Sequence, residues 1–302
     1  SITRADIIAA HARIAADIRR TPVLRLGEGH CLKLEQLQRG GSFKPRGAFN
    51  RLRQAGDLSA GVVAASGGNH GIAVALAARA LGAAATIFVP EVSSQAKRDR
   101  IAALGATLVV GGAGYADAYE ASRRHVEQTG AIAVHAYDQP EVLAGQGTVA
   151  LEWQEQAPEL THVLVAVGGG GLIGGMAAWY AGTGVQVVAV EPETSCALHA
   201  ALAAQRPVDV AVSGIAADSL GARQVGALMF PIAAAHVAAS VLVSDAAILA
   251  AQRWLWATCA VAAEPGGAAA MAALLSGAFV PPPGARVGVL VCGANAPPGS
   301  VA

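Results

Sequence analysis

Three stretches of this 302-residue chain hold groups whose types and spacing could do chemistry. The first is Gly168-Gly169-Gly170-Gly171, which follows an apolar run at 161–167 that reads as a buried strand. Leu172-Ile173-Gly174-Gly175-Met176 then opens a helix. Consecutive glycines at a strand-to-helix junction leave several backbone N–H groups unshielded and pointing one way. The helix N-terminus adds its positive dipole end, so the junction is an anion site, best suited to a phosphate. A tight turn at positive φ needs one or two glycines; four in a row point to a ligand cradle. The run also spells Gly169-x-Gly171-x-x-Gly174, and Glu191 closes the next strand, 186–190, where a ribose-binding acid belongs. A dinucleotide and a single phosphate both fit the loop.

The second stretch is Gly40-Gly41-Ser42-Phe43-Lys44-Pro45-Arg46-Gly47-Ala48. Its glycines, the Ser42 cap and Pro45 in the first turn announce a helix that starts at Lys44. A lysine is poorly placed there, because the dipole field opposes a cation. That field and partial burial lower its pKa and release a neutral amine, which Schiff-base chemistry requires. The chain has only three lysines, Lys33, Lys44 and Lys97, against many arginines. The third stretch, Ser66-Gly67-Gly68-Asn69-His70-Gly71, lies where a strand gives way to a helix and suits a small carboxylate. On its own it also reads as an ordinary N-cap, and His70 as a helix-start residue.

The elements that must position these groups follow from pattern. Thr3 with Asp6 forms a capping box, and apolar spacing carries a first helix to about Arg19. Short strands are expected at 22–26 and 31–35. From Gly61 strands (62–65, 84–89, 107–110, 131–135) alternate with helices (71–81, 93–104, 115–128), the rhythm of a parallel sheet. We read 61–138 as a small inserted α/β domain, with 1–60 and 139–302 forming the large, cofactor-binding one. A long helix at 141–156 leads back to the central strand. Beyond Glu191 the pattern is looser, with helices near 196–204, 245–261 and 266–276 and a last strand at 286–291. The Pro-rich C-terminal residues read as frayed.

The chain is 54% apolar with zero net charge, long enough for a sizeable core, and shows no basic cluster for nucleic acid or an anionic membrane. No apolar run reaches a membrane span, and the N-terminus reads as a capped helix instead of a signal peptide. Cys31, Cys196, Cys259 and Cys292 are scattered without metal or disulfide spacing, which fits a reducing cytoplasm. Alone, Cys292 reads as a core thiol and Glu264-Pro265 as a helix start. Glu191 reads as a ribose acid, a metal ligand or a solvated strand end.

Taken together, the stretches around Lys44 and Asn69, Gly168 to Leu172, Glu264-Pro265 and Cys292-Gly293 resemble fold-type-II pyridoxal-phosphate enzymes. The serine/threonine dehydratase and serine racemase group is the most similar, and the likeness spans nearly the whole chain. It implies a tryptophan synthase β-like α/β fold: two open, twisted, mainly parallel sheets flanked by helices. It implies pyridoxal 5'-phosphate as cofactor, a small amino acid as substrate and a homodimer. Lys44 would form the Schiff base, with Phe43 beside the ring. Gly168, Gly169, Gly170, Gly171 and Leu172 would bind the phosphate, Asn69 the ring's 3-hydroxyl, and Cys292 would face the pyridine nitrogen. Ser66, Asn69 and His70 would hold the substrate carboxylate, and the loop at Gly221 would contact the amine.

The expected reaction is β-elimination of water from L-threonine or L-serine, giving a 2-oxo acid and ammonia. A neutral thiol stabilises a carbanion less than a carboxylate would, so a β-hydroxyl leaves promptly. Hydroxyaspartate dehydration and racemisation are the alternatives within the group; from another class, the glycine loop could serve a nicotinamide oxidoreductase. Racemases of this group use a serine where this chain has Gly67. Their relatives' divalent-cation site pairs a Glu, matched by Glu191, with an Asp, matched here by Ala197, so no tight metal site is expected. Biosynthetic threonine deaminases carry a C-terminal regulatory domain, which the end of this chain soon after Cys292 leads us not to expect.

Overall fold

A computed structural model describes residues 1–27 and 29–300; Val301 and Ala302 fall outside the described residues. In chain order the elements are α1 (Arg4–Ile14), β1 (Val23–Arg25), β2 (Cys31–Leu34), α2 (Pro45–Ala55), β3 (Val62–Ala65), α3 (Asn69–Ala80), β4 (Ala85–Val89) and α4 (Gln95–Ala103). Then come β5 (Thr107–Val110), α5 (Tyr115–Thr129), β6 (Ile132–Ala133), α6 (Pro140–Gln156), β7 (His162–Ala166), α7 (Gly171–Tyr180) and β8 (Gln186–Pro192). The chain ends with α8 (Ala197–Ala204), α9 (Ala217–Leu220), α10 (Phe230–His236), β9 (Val237–Val243), α11 (Asp245–Cys259), α12 (Pro265–Ser276) and β10 (Val287–Val291).

The strands form two sheets. One has six strands in the order β1-β2-β10-β7-β8-β9, parallel except where β1 pairs with β2. The other has four parallel strands in the order β5-β4-β3-β6. Strands such as VGVLV in β10 and HVLVA in β7 are nearly continuous apolar runs because helices cover both faces of a parallel sheet. The core around the four-stranded sheet also takes Ile14, Ala48, Phe49, Leu52 and Val142, from outside 61–138.

Most of the expected strands and helices occur within a few residues of their sequence positions. The first helix is a correction: it stops at Ile14, not Arg19. A looser turn follows, in which Asp17 and Ile18 N–H both donate to the Ile14 carbonyl, Asp17 takes a bidentate pair from Arg53 at 2.8 and 2.9 Å, and its carbonyl accepts from Arg39. The loose region after Glu191 contains α9, α10 and β9, which the sequence reading did not resolve. At the C-terminus Pro298–Ser300 closes a single 3-10 turn.

The loops after β3, β7 and β10 all lie at carboxyl ends of parallel strands, where open α/β sheets hold their ligands. Ser66–Asn69, Gly168–Gly171 and Cys292 therefore arise from one architectural rule.

Candidate active site

The glycine run occupies the turn from β7 into α7. Gly170 sits at φ +91°, a left-handed conformation, and a Cβ there would meet the Met229 side chain at 2.5 Å. A Cβ on Gly169 would strike the Tyr137 ring at 2.1 Å. Backbone must therefore approach these neighbours closely, and only glycine allows it. Among the described residues no acceptor meets the N–H groups of Gly168, Gly169 or Gly170. The first N–H groups of α7 lack intrahelical partners as well. A row of uncommitted donors beside a helix N-terminus fits a phosphate monoester.

Lys44 is the N-cap of α2, and its amide donates to Ser42 Oγ at 3.4 Å. Its Nζ stands 5.3 Å from the Phe43 ring centre and donates to the Ala136 carbonyl at 2.7 Å. Burial lowers the amine's pKa to about 8, so at pH 7 its neutral fraction rises from about 0.03% to about 10%. The loop ahead of it is tied to the end of β10: Phe43 N–H donates to the Cys292 carbonyl at 3.2 Å. Two residues past Lys44, fully buried Arg46 donates to Glu35 at 2.7 and 2.9 Å and pairs with Glu152. Lys33 completes this cluster by donating to Gln156 and to the Thr21 carbonyl. A charge left alone there would be costly, so Arg46→Met is expected to lower stability by about 3–5 kcal/mol in chemical denaturation.

One cavity is lined by Phe43, Lys44, Asn69, the run from Gly168 to Leu172, and Cys292. Burial pushes the Cys292 thiol up to about 12, so it stays protonated; it donates to the Gly266 carbonyl at 3.5 Å. Ser66, His70 and Gly221 do not line this cavity. The Ser66 hydroxyl accepts from Gly68 N–H at 3.1 Å. The His70 ring is buried and bonded through Nε2 to the Val134 carbonyl at 2.8 Å. Only its backbone N–H remains for an anion. Gly221 follows α9 with its Cα packed on the Ala217 carbonyl, where a Cβ would come within 2.0 Å.

Burial lowers the His70 pKa to about 3, with Lys44 reinforcing it. The native ring stays neutral while the unfolded ring takes a proton below about pH 6.5. Stability from this group is thus full above 6.5 and lost as pH falls toward 3. Between pH 6.5 and 5 urea unfolding should lose about 2 kcal/mol, and His70→Asn should flatten that part of the profile.

Tyr137 and Ser219 escaped the sequence reading, and Glu264 entered it only as a helix start and as part of the family resemblance. Tyr137 and Ser219 bring hydroxyls, and Glu264 brings a buried carboxyl whose pKa burial raises against its bond from Asn69. Tyr137 is one of four tyrosines and precedes Asp138-Gln139-Pro140, the only signal that marked it. Glu191 lies outside this cavity. It is fully buried, and its two oxygens accept from Leu198 and His199 N–H, both at 2.7 Å, capping α8. Burial raises it to about 7. Each oxygen thus has one backbone donor, and among the described residues no cluster of three metal-ligating side chains is found.

The phosphate cradle, a lysine with a lowered pKa and a thiol opposite fit pyridoxal phosphate better than a dinucleotide, and the comparisons agree. A family model described as "Pyridoxal-phosphate dependent enzyme" matches residues 14–293. The chain is 38% identical over 268 residues to an L-threonine ammonia-lyase of Thermotoga maritima, covering 87% of this chain and 66% of that protein. A maize serine racemase structure superposes with a TM-score of 0.93 at 33% identity, covering 99% of this chain and 95% of that one. A serine racemase structure from Dictyostelium discoideum superposes with a TM-score of 0.89 at 32% identity, covering 98% and 99%. With the glycine cradle, the lysine and nearly the full length matched, the chain belongs to the pyridoxal-phosphate dependent enzymes of fold type II.

Proposed function

We propose that this enzyme is an ammonia-lyase that eliminates water from L-threonine or L-serine, releasing a 2-oxo acid and ammonia. One observation carries it: among the described residues Lys44 brings the one basic amine lining the cavity. The cofactor, when bound, supplies an aldehyde for the substrate amine and an electron sink for the α-carbon. Lys44 Nζ, uncharged in part at neutral pH, removes the α-proton. The glycine-loop N–H groups hold the phosphate, and the N-terminal amides of α3 face the substrate carboxylate. The protonated Cys292 thiol offers no negative charge to a ring nitrogen, which favours early loss of the β-hydroxyl. No second cation lines the cavity among the described residues, so a short uncharged β-substituent fits it better than hydroxyaspartate.

A racemase reading has one specific support. A Cβ on Gly67 would fall 2.1 Å from Ser93 Oγ, so a hydroxyl from the next loop fills the space that a side chain at 67 would take. The division into a large unit and a small one at 61–138, a homodimer and a cytoplasmic setting belong to the same proposal. The test is a 2-oxo-acid assay over threonine, serine and hydroxyaspartate, with chiral analysis of recovered serine. Oxo acid from threonine or serine supports the lyase; D-serine without oxo acid contradicts it.

A further inference from the structure

Asn295, in the loop after β10, is hydrogen-bonded to three other segments. Its Nδ2 donates to the Gly40 carbonyl at 2.7 Å and to Asn69 Oδ1 at 2.6 Å. Its Oδ1 accepts from Arg100 Nη1 of α4 at 2.5 Å. Asn69 Nδ2 in turn donates to Glu264 Oε1 at 2.6 Å. The amide orientations follow from the chemistry at the ends of this chain of bonds. A backbone carbonyl only accepts and a guanidinium only donates, so Asn295 must present its nitrogen to Gly40 and its oxygen to Arg100. Both hydrogens of its Nδ2 are then spent, one of them on Asn69, which fixes the Asn69 oxygen toward Asn295 and its nitrogen toward Glu264. One N–H of Asn69 is left, on a side chain that lines the cavity with Lys44 and Cys292.

We propose that Asn295 is a positioning residue that locks the Asn69 amide nitrogen-first toward the cavity, so that its free N–H meets the ring oxygen of bound cofactor. Glu264 braces the same orientation, and Arg100 links it to the four-stranded sheet's side of the cleft. The inference rests on the pyridoxal-phosphate reading of the cavity. An amide free to turn would offer its oxygen half the time, repelling an ionised ring oxygen and changing where that oxygen's proton resides. The visible spectrum of the loaded protein reports that proton directly.

The test compares wild type, Asn295→Ala, Asn295→Asp and Arg100→Ala by absorbance with pyridoxal phosphate bound and by cofactor titration. Thermal melts of each protein before loading check that it folds. Asn295→Asp keeps the shape and the acceptor for Arg100 but loses both donors, so it reports even if the alanine variant unfolds. Both Asn295 variants should lose a large part of the long-wavelength band and bind cofactor about tenfold more weakly. Arg100→Ala should keep the wild-type spectrum and stay within about twofold in affinity. A wild-type spectrum and affinity in Asn295→Asp would overturn the proposal, as would an Arg100→Ala spectrum shifted as far as that of Asn295→Asp. A wild-type protein that takes up no pyridoxal phosphate would instead count against the cofactor reading itself.

Discussion

Lys44→Ala is expected to lower 2-oxo-acid release by about 1,000-fold or more, because one amine carries both the covalent and the proton-transfer duties. No other group can take over. Lys33 is buried among Glu35, Glu152 and Gln156, and Lys97 is paired with Asp218 on the far side of Asn69. The loss should be chemical and not structural. Among the described residues Lys44 makes no ion pair, and its one side-chain bond is to the Ala136 carbonyl, so the melting temperature of the apo-protein should change little. Added alkylamines should restore part of the rate, and the restored rate should follow the amine's own pKa. An alanine variant within tenfold of wild type would place the reacting amine elsewhere.

Gly170→Val is expected to weaken cofactor binding by about 100-fold, equivalent to about 2.7 kcal/mol. Two costs combine. The residue sits at φ +91°, where a β-branched side chain costs about 1–2 kcal/mol or more. Its Cβ would also come within 2.5 Å of Met229, and overpacking of that kind costs about 1–3 kcal/mol. The turn relieves both by moving, and its movement takes the N–H donors off the phosphate. Titration with pyridoxal phosphate, followed by fluorescence, measures the effect. Gly182→Ala supplies the control: it also has positive φ, +74°, but open space around it and no place in the cavity. It should cost some stability and leave cofactor affinity unchanged.

Much of this site is legible in sequence because its parts are local. A strand that ends in four glycines and a lysine held at a helix start each need only a short window. The scarcity of lysine proved informative: Lys33 lies in a buried ion cluster, Lys44 lines the cavity and Lys97 is ion-paired. What stayed hidden is long-range or directional. Asn69 meets Glu264 and Asn295 across 195 and 226 residues, with no periodicity to announce either contact. His70 sits in the expected stretch, but its ring turns toward Val134 because the carbonyl there needs a donor and the core excludes charge. Strand β9, VAASVLV, escaped because its alanines and serine blur the apolar pattern and its neighbour β8 supplies the pairing. Glu191 fitted a ribose acid by spacing alone; the nearby amides of α8 gave its oxygens a closer use.

The most direct measurement is borohydride reduction of the protein incubated with pyridoxal phosphate, followed by peptide mass mapping. With three lysines in the chain the outcome is unambiguous. The reduced pyridoxyl group is expected on the peptide holding Lys44, with the visible band lost in step. A label on Lys33 or Lys97, or no label with the protein left colourless, would contradict the assignment.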